Sequence, residues 1–141
     1  MHKLIITLLL FTINVSMSFA QEKETHTITV NISGMKNDKG KVYVALYNSE
    51  KSFLKEEVKG DIVQINNKKA VVIFKNMKKG VYAISVFHDA NNNKKMDTNF
   101  FGIPKEPIGC SNGAKGFMGP PKYKKAKFTV ENDIVIPVKV K

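Results

Sequence analysis

Gly80-Val81-Tyr82-Ala83-Ile84-Ser85-Val86-Phe87-His88-Asp89, running on into Ala90-Asn91-Asn92-Asn93-Lys94-Lys95-Met96-Asp97, is the most telling passage of the chain. Val81 to Phe87 is its most apolar short run, opened by a glycine and closed by an asparagine-rich segment, and it reads as a buried strand. That strand delivers His88 and Asp89 at its exit, so whatever follows starts from a rigid base. In the following loop Asp89, Asn91, Asn93 and Asp97 occupy the first, third, fifth and ninth places, a calcium-loop spacing. A hard cation takes several oxygens at once. Alternate residues of a curled loop can turn their side chains inward while the carbonyl of Lys95, at the seventh place, supplies another. The expected ligand set is therefore Asp89, Asn91, Asn93, Lys95 through its carbonyl, and Asp97, with Ca2+ as the ion. The twelfth place, a bidentate glutamate in a helix-flanked calcium loop, is Phe100, which leaves a remote carboxylate such as Glu106 and water to complete the shell. Few carboxylates beside Lys94 and Lys95 predict weak binding, on the order of 10⁻⁴–10⁻³ M. The competing reading is an asparagine-rich turn whose side chains cap its own backbone and bind nothing.

Upstream, His26 to Ser33 alternates with Ile28, Val30 and Ile32 on one face, and Lys41 to Asn48 is apolar on both faces, as a central strand would be. Asn37 to Gly40 joins them as a turn. Ser49 to Lys59 is charged, with Phe53, Leu54 and Val58 spaced for a single helical turn or packed loop. Asp61 to Ile65 and Lys69 to Phe74 read as a short hairpin about Asn66-Asn67-Lys68, since asparagine accepts the positive φ of a tight turn. Downstream, Lys122 to Val130 and Ile134 to Val140 read as closing strands, with Pro137 suited to a sheet edge. Seven modest strands and no long helix predict an all-β, antiparallel β-sandwich, with barrel closure as the alternative.

Between Asn99 and Pro121 the chain is rich in glycine and proline, interleaved with Phe100, Phe101, Ile103, Ile108, Phe117 and Met118. A long irregular stretch with so many aromatics predicts a folded, functional flap. Phe100, Phe101, Phe117 and Met118 are its candidate partner-binding residues, provided they are exposed.

The N-terminus reads as an export signal: a short basic start at His2 and Lys3, an apolar run from Leu4 to Val15, and small residues at Ser18 and Ala20. The run is too short for the roughly 20 residues of a membrane span. Residues 1–20 are thus expected to be a signal peptide and residues 21–141 a single β-sandwich domain, exported to the periplasm or the medium. With Cys110 as the one cysteine, no intramolecular disulfide can form, and the thiol reads as a small buried hydrophobe, a nucleophile, or a crosslink between chains. The net charge is +11, and every basic residue apart from histidine is lysine. Lysines at nearly every turn give a solvated surface, or attraction to an anionic envelope polymer or surface. Sequence-specific nucleic-acid binding is disfavoured, because it relies on arginine forks and stacked aromatics.

Gly40 to Asn48, Gly80 to Asp89, the asparagine-rich loop to Asp97, Thr98-Asn99-Phe100-Phe101-Gly102-Ile103-Pro104, and Gly119-Pro120-Pro121 together resemble the secreted bacterial domain family DUF2141, over nearly all of the chain after residue 20. The resemblance implies export and a prealbumin-like or immunoglobulin-like sandwich, and it implies no activity. Two positions depart from the pattern. Lys94 stands where the family commonly has glycine, at a left-handed position that costs a residue with a Cβ roughly 1–2 kcal/mol. Cys110 stands where a larger apolar residue is expected.

An enzyme must show its nucleophile, base and oxyanion donors. The chain has no Gly-x-Ser-x-Gly and no His-Glu-x-x-His, and it lacks the arginine on which the purine-catabolic hydrolase of the prealbumin-like fold relies. The expected role is a non-catalytic, calcium-braced binding or structural module of the cell envelope, facing a protein or anionic polymer. The alternative is a small secreted hydrolase using His88 and Cys110 under the flap, which requires those side chains within hydrogen-bond reach.

Overall fold

The computed structural model describes residues 24–141, so the expected signal peptide at residues 1–20 lies outside the described residues. Eight strands follow in order: β1 Thr25–Ser33, β2 Lys41–Tyr47, β3 Lys59–Val63, β4 Lys69–Lys78, β5 Gly80–Asp89, β6 Ile108–Cys110, β7 Phe128–Val130 and β8 Ile134–Lys139. A single helical turn, α1 Tyr123–Ala126, precedes β7. No helix among the described residues is long and apolar enough to cross a membrane.

The strands form two sheets. One has the order β4-β1-β8, and the other the order β3-β2-β5-β6, with β7 also on β5. Period-two alternation explains the layering: Ile28, Val30 and Ile32 of β1 and Val42, Val44 and Leu46 of β2 are buried, as are Val72 and Phe74 of β4, Ile84 and Val86 of β5, and Ile136 and Val138 of β8, and all join one core. Sheet pairing is mixed, because β1 runs parallel to β8, Ile28 opposite Ile134, while its other neighbour β4 is antiparallel. Pro137 falls on β8, an edge of its sheet, where a missing N–H costs no ladder bond.

Three expectations change in detail. The segments around Asn66 do meet in a tight turn, with Asn67 and Lys68 at φ of 51° and 58°. They are not a hairpin ladder, however: β3 pairs with β2 and β4 with β1, so the turn carries the chain from one sheet to the other. The flap is not one irregular segment, since β6 lies within it and pairs Ile108 to Phe87 and Cys110 to Ser85. The strand expected over 122–130 is α1 followed by the three residues of β7, which pair Phe128 to Tyr82 and Val130 to Gly80.

β6 and β7 thus form one edge strand, interrupted by an excursion over residues 111–127. The interruption leaves the Ile84 N–H of β5 without a strand partner, and the fully buried Ser111 hydroxyl accepts it at 2.9 Å while donating to the Ala126 carbonyl at 2.5 Å. Behind it, on the outer face of the larger sheet, Tyr47, Phe53, Ala83, Cys110, Ala114 and Ala126 form a second small core. Phe53 reaches it from a turn closed by Phe53 N–H to Ser49 O at 3.1 Å, with Leu54 at φ 58°, so of the two expectations for this segment the packed loop is the nearer. At the far end of β6 a reciprocal pair of backbone bonds joins Ile108 to Lys141, bringing the two sheets together at one corner.

Candidate functional site

β5 ends at Asp89, which is fully buried although it is a carboxylate. Its burial is tolerable because the loop satisfies it: one oxygen accepts the Asn93 N–H at 3.1 Å and the other the Lys94 N–H at 2.8 Å. Gly40 permits that geometry. At φ +73° it lies against the end of β5, where a Cβ would come within 1.8 Å of the Asp89 carbonyl oxygen. Next to it, Lys39 O lies 2.7 Å from His88 Nε2.

The loop curls through Asx turns. Asn91 Oδ1 accepts the Asn93 N–H at 3.1 Å, and Asn93 Oδ1 accepts the Lys95 N–H at 3.0 Å. Asn92 and Lys94 take φ of 57° and 67°, so Lys94 does occupy the left-handed position that favours glycine. Across the curl, Asn93 Nδ2 donates to one oxygen of Asp97 at 2.8 Å and Asn91 Nδ2 to the other at 2.5 Å. These bonds, Asn93 first, hold the Asp97 carboxyl below its ordinary value, with smaller help from Lys105 and Lys95. Asp89, Asn91, Asn93 and Asp97 are thereby knitted into one unit, with the Lys95 N–H tied to it.

Glu106 enters from the returning chain. Its Oε2 accepts the Asp97 N–H at 3.1 Å, while Oε1 is buried with no hydrogen-bond partner. The Lys105 N–H closes the loop onto Asp97 O at 2.8 Å, and the His88 N–H donates to Pro107 O at 2.9 Å. No cluster of three or more His, Cys, Asp or Glu side chains occurs among the described residues, so any oxygen shell here depends on amides and carbonyls as well.

Beyond Asp97 a second tight turn carries the aromatics. Asn99 Oδ1 accepts the Phe101 and Ile103 N–H groups at 2.9 and 3.0 Å, and Gly102 N–H returns to Asn99 O at 3.0 Å. Sequence reasoning overlooked this role of Asn99, although asparagine followed three residues later by glycine is a turn signal. Phe100 and Phe101 meet edge to face with centroids 5.5 Å apart, and they are 98% and 83% exposed. Phe117 and Met118 are also exposed, at 90% and 96%. They stand elsewhere, on the 111–127 excursion, where Pro120, Pro121 and Tyr123 border a shallow groove with Phe53 and Leu54. The four candidate flap residues therefore make two separate surfaces, divided by β6.

His88 and Cys110 do not come together. Cys110 pairs with Ser85, and His88 lies three residues further along β5, roughly 10 Å away and on the opposite face of the sheet. Cys110 sits in the small outer core, where burial pushes its thiol up to about 11, far from a thiolate at neutral pH. His88 is buried toward the main core at 1% exposure. The pocket required by the hydrolase alternative is not formed by these two residues.

No curated protein and no solved structure matches the chain. A match to the family described as uncharacterised proteins conserved in bacteria, DUF2141, covers residues 30–136, and with the end of β1, all of β2 to β7, the first half of β8 and the whole of the loop inside it, the chain belongs to that family.

Proposed function

We propose that the protein is an exported, non-catalytic module of the cell envelope whose 89–106 loop binds calcium, and that the bound ion braces the aromatic tip at Phe100 and Phe101 for contact with a partner. The supporting observation is Glu106, a carboxylate with one oxygen tied to the loop and the other buried without a donor. A buried acceptor left unpaired costs about 1–3 kcal/mol, more when charged, and a cation is the partner that would relieve it. Glu106 then takes the part of the remote carboxylate absent at Phe100. With Asp89, Asn91, Asn93, Asp97 and the Lys95 carbonyl it would give the oxygen-only donor set that calcium prefers, once the ion draws together three carboxylates that form no cluster without it. Calcium would replace the two amide bonds that now hold Asp97.

The non-catalytic part of the reading rests on the separation of His88 from Cys110 and on the high pKa of the thiol. Export rests on the sequence of residues 1–20. A thermal melt tests the ion. With affinity of order 10⁻⁴–10⁻³ M, 10 mM calcium stabilises the fold by roughly 1.4–2.7 kcal/mol over chelator, or about 5–10 °C for a domain of this size. Asp97→Asn and Glu106→Gln are expected to lose most of that rise. A wild-type melting temperature indifferent to calcium would remove the ion and leave a self-capped turn.

A further inference from the structure

The topology gathers lysines at one end of the sandwich. Connections 34–40, 64–68 and 90–107, with the C-terminal residues 140–141, lie at the end where β5 delivers Asp89. Together they carry seven lysines against three acids. Connections 48–58 and 131–133, with Glu24 and Lys79, lie at the opposite end and carry six acids against three lysines, but the 111–127 excursion brings Lys122 and Lys124 into the same groove as Glu50, so that end has no marked negative excess. The acids at the loop end are also spoken for: Asp38 accepts the Asn67 and Lys68 N–H groups at 3.0 and 2.7 Å, and Asp97 and Glu106 are held within the loop. Lys36, Lys39, Lys68, Lys94, Lys95 and Lys105 are all exposed. Within this basic end lies the turn that exposes Phe100 and Phe101 almost wholly and Ile103 by more than half, at 98%, 83% and 59% exposure. Three apolar side chains held out on a turn with its own hydrogen bonds are preorganised for an apolar phase.

We propose that this end docks on an anionic phospholipid bilayer, with Phe100, Phe101 and Ile103 entering the interfacial region and the surrounding lysines meeting the lipid phosphates. Charge complementarity and shape select this partner. A polybasic rim is drawn to anionic headgroups, aromatic rings settle at the boundary between headgroup and acyl chain, and a convex tip suits a deformable surface. The inference rests on the calcium reading only for the bracing of the tip and for the added positive charge of the ion.

The test is cosedimentation of the protein, as the expressing cell processes it, with vesicles of phosphatidylcholine alone or with 30 mol% phosphatidylglycerol. Each is run in calcium and in chelator. The comparison is with Phe100→Ser/Phe101→Ser, whose exposed side chains leave the fold unaltered by thermal melt, and with Lys94→Gln/Lys105→Gln. All variants share one N-terminus, so its contribution cancels. Wild type is expected to bind the anionic vesicles at least tenfold more tightly than the neutral ones and to weaken as salt rises. The phenylalanine variant is expected to lose tenfold or more, and the lysine variant to lose affinity and salt dependence together. Absence of binding to anionic vesicles, or binding unchanged in Phe100→Ser/Phe101→Ser, overturns the proposal and points the tip at a protein partner. A calcium-dependent melt without vesicle binding would keep the ion and discard the bilayer. Vesicle binding equal in calcium and chelator, with a calcium-independent melt, would keep the bilayer and discard the ion.

Discussion

Ser111 shows how much a single small polar residue decides here. Its hydroxyl supplies the acceptor that the broken edge strand fails to give Ile84 N–H, and it satisfies the Ala126 carbonyl that ends α1. Ser111→Ala leaves both groups buried and unpaired, so a denaturant titration should record a loss of about 1–3 kcal/mol. Nothing in the sequence marks this serine, because its importance comes from a gap between strands far apart in the chain. Cys110, by contrast, read from sequence as a small hydrophobe among other readings, and its surroundings agree with that one. Its folded pKa is raised above the unfolded value near 9.0 to about 11. The neutral thiol is therefore the form that folding favours. Its contribution to stability is complete below pH 9 and is lost as the pH rises from about 9 toward 11. Iodoacetamide should label the native thiol far more slowly at pH 8 than the unfolded chain, with native labelling accelerating only toward pH 11.

Among the elements, the long alternating strands were legible and the short or shared ones were not. β1 and β8 carry enough residues to display a period of two, β2 and β5 enough to stand out as apolar runs, and their bounds fall close to those expected. β6 and β7, with three residues each, are too short to show any period, so they vanished into the flap and into the segment before Val130. Turn chemistry predicted a left-handed asparagine in the 66–68 turn, which Asn67 supplies, but not the left-handed Lys68 beside it. It could not say that the strands on either side belong to different sheets, because partner choice is settled by the core and not by the turn. Gly109 is the point where β6 passes under the end of β8. A Cβ there would lie 2.6 Å from the backbone oxygen of Lys139. Gly109→Ala should accordingly cost about 1–3 kcal/mol, measured by thermal melt, by prising apart the corner that the Ile108 and Lys141 bonds close.

For the molecule as a whole, the sequence carried the all-β architecture and the spacing of the oxygen donors, while the returning chain supplied what spacing alone could not. Glu106 is nine residues beyond Asp97, and only the close packing of residues 105–107 against the loop brings it there. Likewise the lysines are scattered along the sequence, and the meeting of seven of them at the loop end is a product of strand direction. The two features meet in the loop that follows β5, and the central claim is that this loop holds calcium. A calcium titration followed by amide NMR addresses it most directly. Saturable shifts confined to amides of residues 89–106, chief among them Asn93, Lys94 and Asp97, with a midpoint of order 10⁻⁴–10⁻³ M, are the predicted result. Amides of that loop that do not move at 20 mM calcium, or shifts confined to the opposite end around Glu56, Glu57 and Asp133, would contradict it.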